Sequence, residues 1–375
     1  MRMCQALTDS GHEVILTGRV SSAGAVQDPV GYYGLRGGFT VSLWHLGRLI
    51  DNRFTRRLLL PGLWLALVSR SFFRNFKPDL VYSRLTVTEL ALVPKGVPIV
   101  FEMHSLGPIG SGGLQAWAFR SLMRCKKIVR FVVTTEGLAA SLRQAFPHID
   151  VRVARLSAEL PVSVAEHDLF TFRRDNLQRP DFASHVGYTG YLDTIGLRGT
   201  DVLCQVASVT PEVAFHIVGG EPQIVEYWKC YAAQYNRHGN IFFYGYRNPS
   251  EMPLFLGCFD VVVAPLQLKI SDRAPTGMNM SPLKLPQYMS YGKAIVASDL
   301  LAHCEILTSE ETAVLVSHAD VEEWRDAICR LLREPELRKA MGARARARYY
   351  AEFTPEQRVN RILSGLGMLA GLHDE

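Results

Sequence analysis

Between residues 180 and 350 the chain alternates short apolar runs with amphipathic stretches of helical period. His185–Thr189, Val213–Val218, Ile241–Tyr244, Asp260–Pro265, Ala294–Ala297 and Thr312–Val316 are the apolar runs, and they predict strands covered on both faces. Thr200–Ser208, Pro222–Asn236, Pro249–Leu256 and a stretch from Ala302 predict helices between them. Asp320 with Glu323 forms a capping-box pattern, and Val321, Trp324, Ile328 and Leu331 supply the buried stripe of the helix that follows. Strand–helix repetition of this kind predicts a parallel, doubly wound α/β sheet with right-handed crossovers.

The earlier part is less regular. Met3, Leu7 and Val14 fit a helix over Met1–Ser10, stopped by Gly11, and then a strand over Glu13–Thr17. Residues 18–42 are rich in glycine and serine and read as loop. Asp79–Ser83, Pro98–Phe101 and Ile128–Thr134 read as strands, Gly107–Gly113 as a flexible loop, and Thr135-Glu136-Gly137 as a helix start. A linker is expected over about 157–180. This divides the chain into 1–165, 180–350 and a last helix within 355–375 that starts at Thr354-Pro355-Glu356-Gln357.

One stretch carries candidate chemistry. Ser281-Pro-Leu-Lys-Leu-Pro-Gln-Tyr-Met-Ser-Tyr-Gly-Lys-Ala-Ile-Val-Ala-Ser298 reads as a loop, a helix, a glycine stop and a strand. Asn279 and Ser281 are candidate caps, Pro282 suits a first helical turn, and Gly292 is expected at positive φ. A helix start gathers unpaired N–H groups and a positive dipole end, both favouring a phosphate, and Lys284 adds a mobile charge. An ordinary α/β helix with a surface lysine accounts for the same residues.

The stretch resembles the signature of retaining glycosyltransferases of family four, which have the GT-B fold. Ser281, Pro282, Leu283, Lys284, Leu285, Tyr288, Met289 and Gly292 match a subgroup of that family. Pro286 departs from it, and so does Gln287, where the family has glutamate. Phe101-Glu102-Met103-His104 is similar to the family's Phe-Glu-x-His, and Thr135-Glu136-Gly137 to its Ser-Glu-Gly. The strand ending at Thr189, then Gly190 and Leu197-Arg198-Gly199, is similar to its Tyr-x-Gly-x-Leu…Lys-Gly. Ala154-Arg155-Leu156-Ser157 stands where the family has Pro-Asn-Gly.

The resemblance implies two Rossmann-like, doubly wound parallel-sheet domains facing across a cleft, with a nucleotide diphosphate-sugar held by the second. It implies that His104 approaches the donor sugar and that Arg198 contacts the diphosphate, where a planar guanidinium can hold two oxygens at once. Lys284 would join it, and Asn279 and Gln287 would occupy the places of a glutamate pair, the second of which accepts from the ribose hydroxyls. Gly190, Gly219 and Gly245 would line the sheet edge, Tyr246 and Arg247 would lie near the base, and Ser281, Pro282 and Leu283 would complete the donor loop. It further implies a strand and glycine loop upstream of Met1 and a last helix that returns to the first domain.

Composition narrows the picture. A chain of 375 residues with 48% hydrophobic and 21% charged residues is globular and long enough for two domains. The 7 cysteines form no CxxC or metal-ligand spacing, which suits a reducing cytosol, and no secretory signal is visible. There is no GxGxxG, no P-loop, no Asp-x-Asp and no nucleic-acid motif, so neither a metal, a cofactor nor a nucleic acid is expected. Residues 1–160 hold twice as many Lys and Arg as Asp and Glu, although the net charge is only +5. Within 43–77 Arg48, Arg53, Arg56, Arg57, Arg70, Arg74 and Lys77 stand against Asp51 alone. That stretch reads as a core helix with a solvated basic edge, or as a helix on an anionic membrane surface.

The expectation is a cytoplasmic retaining glycosyltransferase, with a peripheral membrane position as the second option. It would act without metal on a hydroxyl of a glycan, lipid-linked or small-molecule acceptor. The alternatives are a homologue that binds nucleotide or glycan with weak or no catalysis, and a GT-B sugar epimerase.

Overall fold

The computed structural model describes residues 1–20, 28–32, 34–45, 76–84, 93, 96–104, 123, 127–235, 237–271, 274–276 and 283–366. Two units divide the chain: Met1–Arg155 together with Pro355–Glu375, and Leu156–Thr354.

In the first unit a helix over Arg2–Asp9 is followed by Gly11 at φ +89°, and then by β1 (Ile15–Val20). β1 pairs in parallel with β2 (Thr40–His45). Residues 18–42, expected as loop, thus contain strand ends and a short helix, Pro29–Tyr32. The glycines that suggested a loop (Gly34, Gly37 and Gly38, all at positive φ) form the turn between that helix and β2. β3 (Val81–Ser83), β4 (Ile99–Met103), β5 (Ile128–Val133) and β6 (Asp150–Val153) make a parallel sheet in that order. Thr135 caps the helix Glu136–Ala145 by accepting from the Leu138 N–H. Alternation along β4 sends Phe101 and Met103 into one core, and Val100 into another with Ile362 of the helix Pro355–Leu363. The buried Arg130 fixes that helix, donating from Nη1 to the Ile362 carbonyl at 2.6 Å and from Nε to Asp150 at 2.7 Å. The basic stretch 43–77, apart from its ends, and Gly107–Gly113 lie outside the described residues.

The second unit carries the sheet that the alternating pattern predicts. β7 (Ser184–Thr189), β8 (Val213–Val218), β9 (Ile241–Gly245) and β10 (Val261–Ala264) are followed by a small antiparallel hairpin, β11 (Lys269–Ser271) and β12 (Ala274–Thr276). β13 (Ala294–Ser298) and β14 (Val314–Val316) complete a six-stranded sheet of order β14-β13-β10-β7-β8-β9, with every pairing parallel. The order reverses between β7 and β10, the switch point at which such sheets open a crevice beyond their carboxyl ends. Val261 and Val263 enter one core and Val262 and Ala264 the other, so helices cover both faces.

Two helices have no clear apolar signal in the sequence. Glu166–Asn176 lies inside the stretch expected as a linker and buries only Phe172, edge-on to Phe255 at 4.9 Å. Pro335–Glu352 is rich in arginine and alanine and buries Met341, Ala345 and Tyr349. The helix expected from Ala302 is only Leu301–Cys304. Asp320 caps Val321–Arg333, but the Glu323 carboxylate reaches back to the Ser317 N–H at 2.7 Å rather than closing a capping box.

Polar groups inside the second core are chained. His185 Nε2 lies 2.6 Å from Arg173 Nη2 and 2.9 Å from the Phe182 carbonyl, to which Arg173 also donates at 2.9 Å. His185 Nδ1 faces His216 Nε2 at 2.9 Å, and His216 Nδ1 faces the Tyr244 hydroxyl at 2.8 Å. Burial first, then the neighbouring His185 and Arg173, pushes His216 down to about 3.

Candidate functional site

Three strand ends converge at the carboxyl edge of the six-stranded sheet. The Gly190 N–H donates to the Val218 carbonyl at 2.9 Å, and the Gly219 N–H to the Gly245 carbonyl at 2.8 Å. A Cβ at Gly219 would sit 2.0 Å from the Gly190 carbonyl oxygen, and φ there is +127°. No other residue lets these backbones meet.

The loop after β7 is held to the switch point. Gly199, at φ +71°, lies so close to the Pro265 carbonyl that an added Cβ would overlap it, and the Gln267 N–H donates to the Leu197 carbonyl at 2.9 Å. Asp193 braces this loop: Oδ1 accepts from the Leu197 N–H at 3.0 Å, and its backbone carbonyl accepts from Trp228 Nε1 at 2.8 Å. Asp193 Oδ2 stands 3.7 Å from Arg198 Nε. That is ion-pair range but too long for a hydrogen bond. Among the described residues both atoms are buried without a hydrogen-bond partner.

The helix of the signature stretch is Lys284–Ser290, with Leu283 at its N-cap making no side-chain cap bond. Asn279, Ser281 and Pro282 lie outside the described residues. Leu285, Tyr288 and Met289 are fully buried and anchor the helix at roughly 1.5–3 kcal/mol each. Gly292 closes it at φ +62°. The Tyr288 hydroxyl accepts from the Thr189 N–H at 2.8 Å, which pins the helix to the end of β7. Lys284, expected to be mobile, instead lies with Nζ 3.5 Å from the centroid of the Tyr188 ring and 3.4 Å from the position of a Cβ at Gly190. No hydrogen bond or ion pair holds its ammonium among the described residues. Burial first, then the Arg198 charge, pushes its pKa well down, and Asp193 offsets part of this. Behind it His303 is buried, Nδ1 donating to the Ser298 carbonyl at 2.9 Å. Burial holds His303 at about 4.

The structure therefore brings together Gly190, Gly219, Gly245, Arg198 and Lys284. Tyr246 and Arg247 follow Gly245 directly and are exposed, as is Leu283. Gln287 is half-buried on the signature helix, and its backbone carbonyl accepts from Ser290 Oγ at 2.8 Å. Asp193, Tyr188 and His303 are not singled out by the sequence pattern. Asp193 has a signal there all the same, as a carboxylate five residues before Arg198 in the same loop. A separate cavity of about 390 Å³ at the opposite, amino edge of the sheet is lined by Arg173, Asp260, Lys293 and Arg338. It is not continuous with these glycines. Lys293 there is occupied by the Phe259 and Gly257 carbonyls at 2.8 and 3.2 Å.

His104 belongs to the first unit, just past β4. Its Nε2 donates to Glu102 Oε1 at 2.7 Å. The Glu102 side chain is 1% exposed, and the same oxygen is 3.0 Å from Arg358 Nη2 and 3.6 Å from Arg84 Nε. Burial pushes the Glu102 carboxyl up, but the His104 bond and the Arg358 charge outweigh it and hold it below the usual carboxylate range. Among the described residues no group of three or more His, Cys, Asp or Glu is placed to hold a metal ion, and no helix is long and apolar enough to cross a membrane.

Two family profiles match the chain in tandem: Glycosyltransferase Family 4 over residues 1–181, and Glycosyl transferases group 1 over residues 183–334. No curated protein matches it. Solved structures share its fold at low identity. A glycosyltransferase from Rickettsia africae is 14% identical with a TM-score of 0.71, covering 100% of this chain and 94% of that one. HepE of Anabaena, solved with UDP and glucose, is 15% identical with a TM-score of 0.68, covering 97% and 94%. Sucrose-phosphate synthase of Thermosynechococcus elongatus is 17% identical with a TM-score of 0.67, covering 100% and 92%. The two glycosyltransferase profiles thus match the chain over residues 1–181 and 183–334, and its fold is that of the GT-B glycosyltransferases.

Proposed function

We propose that the protein is a retaining glycosyltransferase that moves a sugar from a nucleotide diphosphate-sugar to a hydroxyl acceptor. The observation that carries this reading is that Arg198 and Lys284 have one carboxylate between them, that of Asp193, and no hydrogen bond to it among the described residues, beside the glycine-lined end of β7. A diphosphate would supply the missing anion, and its charge grows as the glycosidic bond breaks. Fixed cations that meet that growing charge lower the barrier without reorganising. Among the described residues no side chain stands out as a protein nucleophile, so the chemistry rests on positioning and electrostatics. Two cations in place of a metal support a metal-independent reaction. UDP and glucose, the molecules with which HepE was solved, suit a reading in which uridine or a similar nucleoside diphosphate is the leaving group.

His104 is proposed to contact the donor sugar, and Gln287 the ribose. Asn279, Ser281, Pro282 and Leu283 would form the rest of the donor loop, with Tyr246 and Arg247 near the base. The acceptor is a glycan, a lipid-linked glycan or a small molecule met in the cytoplasm. A peripheral membrane position would use the basic stretch 43–77. Equal recovery with neutral and anionic vesicles would remove the membrane part.

The test is a panel of nucleotide diphosphate-sugars with free glycans and lipid extracts as acceptors, run in excess chelator. Transfer with the anomeric configuration kept is expected. Inverted product, or activity that vanishes with chelator and returns with a divalent ion, would overturn the reading.

A further inference from the structure

The first unit buries a carboxylate that the donor reading does not use. Glu102 lies on the face of β4 that Val100 shares with Ile362, so it points toward the helix Pro355–Leu363. That helix brings Arg358, itself only 6% exposed, to within 3.0 Å of Glu102 Oε1. Arg358 is fixed in turn by its Nε, which donates to the Arg155 carbonyl at 3.2 Å. The charged groups around Oε1 among the described residues are Arg84, His104 and Arg358. Glu102 Oε2 is buried and has no hydrogen-bond partner among them.

An ionised carboxylate only accepts, so the atom of His104 facing it at 2.7 Å must carry a proton. That atom is Nε2. In the neutral ring the proton therefore sits on Nε2, and Nδ1 is left with its lone pair. The ring is 36% exposed, and Nδ1 makes no hydrogen bond among the described residues.

We propose that Glu102 is a positioning residue for His104. It is paired with Arg358 from the carboxyl-terminal helix, and it locks the ring as the Nε2–H tautomer so that Nδ1 accepts from a sugar hydroxyl. This rests on the glycosyltransferase reading for the identity of the hydroxyl, but not for the tautomer. A carboxylate behind a histidine fixes ring orientation in the same way wherever the ring must present one nitrogen. The helix at the far end of the chain thereby becomes part of the catalytic apparatus through a single guanidinium.

The experiment reads the ring nitrogens of ¹⁵N-labelled full-length protein, with His104 assigned by comparison with His104→Ala, at a pH where the ring is neutral. In the wild type Nδ1 should resonate as an unprotonated acceptor. In Glu102→Gln, whose amide can donate as well as accept, the signal should move toward the mixed-tautomer position. A wild-type ring protonated on Nδ1, or a Glu102→Gln ring unchanged from wild type, overturns the proposal and needs no activity to do so.

Kinetics supply the second readout. Glu102→Gln should lower kcat at least tenfold with a smaller change in KM, and adding it to His104→Ala should lower kcat no further. A further fall in the double variant would mean that Glu102 acts through the fold and not through His104. A locked ring in a protein that transfers no sugar from any donor would sink the transfer reading and leave the locked ring standing.

Discussion

The glycine edge of the six-stranded sheet and the Glu102 cluster of the first unit are both charged, and they are satisfied to opposite degrees. At the sheet edge two cations share one carboxylate that stands 3.7 Å from the nearer of them, and the other rests on a tyrosine ring. In the first unit one buried carboxylate draws three cationic or donor groups to a single oxygen, at 2.7 to 3.6 Å. The first arrangement lacks negative charge and invites a ligand to bring it. The second also sets two guanidinium groups against one carboxylate, but it holds one oxygen of that carboxylate at 2.7 and 3.0 Å and ties the chain together. Removing a cation should therefore cost binding in one place and stability in the other.

The largest effect is expected where the carboxylate is buried and held. Arg358→Met leaves Glu102 buried with its buried cationic partner gone, and breaking one side of a buried pair typically costs about 3–5 kcal/mol. Urea unfolding followed by hydrogen exchange at β4 would read it. A loss under about 1 kcal/mol would show that the pair contributes little and that His104 alone satisfies the carboxylate.

Acid separates the two units next. The second unit buries His216 and His303, held at about 3 and about 4, below an unfolded value near 6.5. Groups depressed in the fold bind protons mainly after unfolding, so their stabilisation is complete above about pH 6.5 and lost as pH falls toward the folded values. Between pH 7 and 5 each histidine would remove at most about 2 kcal/mol. Glu102 is also depressed in the fold, so its contribution is lost only as pH falls below the ordinary carboxylate range, near 4.3. Exchange at β8 should therefore accelerate between pH 6.5 and 5 while exchange at β4 does not. If β4 opened first, the histidines would not control the acid limb.

How much of this is legible in the chain follows the same division. The second sheet is readable because parallel strands covered on both faces are continuous apolar runs, and Val213–Val218 and Thr200–Ser208 fall where predicted. Gly190, Gly219 and Gly245 can be placed because they follow such runs directly. The orientation of Lys284 is not legible, since nothing local says that its stem folds back over Tyr188. Nor is the partner of Glu102, because Arg358 lies in a different part of the chain and only the return of the last helix brings them together. Pro335–Glu352 escapes because its packed row, Leu337, Met341, Ala345 and Tyr349, is one residue wide and set among arginines and alanines.

At the unsatisfied edge the expected loss is of binding. Arg198→Ala should weaken nucleoside-diphosphate binding by roughly 1.5–3 kcal/mol, the range for a charged hydrogen bond, and change unfolding stability by less. Calorimetry with UDP and GDP would measure the first and urea the second. Unchanged affinity would remove Arg198 from the diphosphate, and a stability loss as large as that of Arg358→Met would erase the contrast between the two regions.

The smallest effect tests whether the unmatched edge extends along the signature helix. Gln287 is half-buried three residues after Lys284, about one helical turn along the same face. Its amide offers one acceptor oxygen to a ribose hydroxyl, and its NH₂ must find an acceptor elsewhere. A carboxylate there would accept from both ribose hydroxyls, and a gained or redirected hydrogen bond is worth on the order of 1 kcal/mol. The new charge would also lie about one turn from Lys284, and this favours it, whereas a bound diphosphate would oppose it. If the ribose contact dominates, Gln287→Glu tightens a ribonucleotide several-fold and its 2′-deoxy analogue less. If the diphosphate repulsion dominates, both weaken together, and more so at low salt. Titrating UDP and 2′-deoxy-UDP against both proteins at two ionic strengths separates these outcomes. Equal tightening of the two nucleotides would mean that residue 287 does not face the ribose.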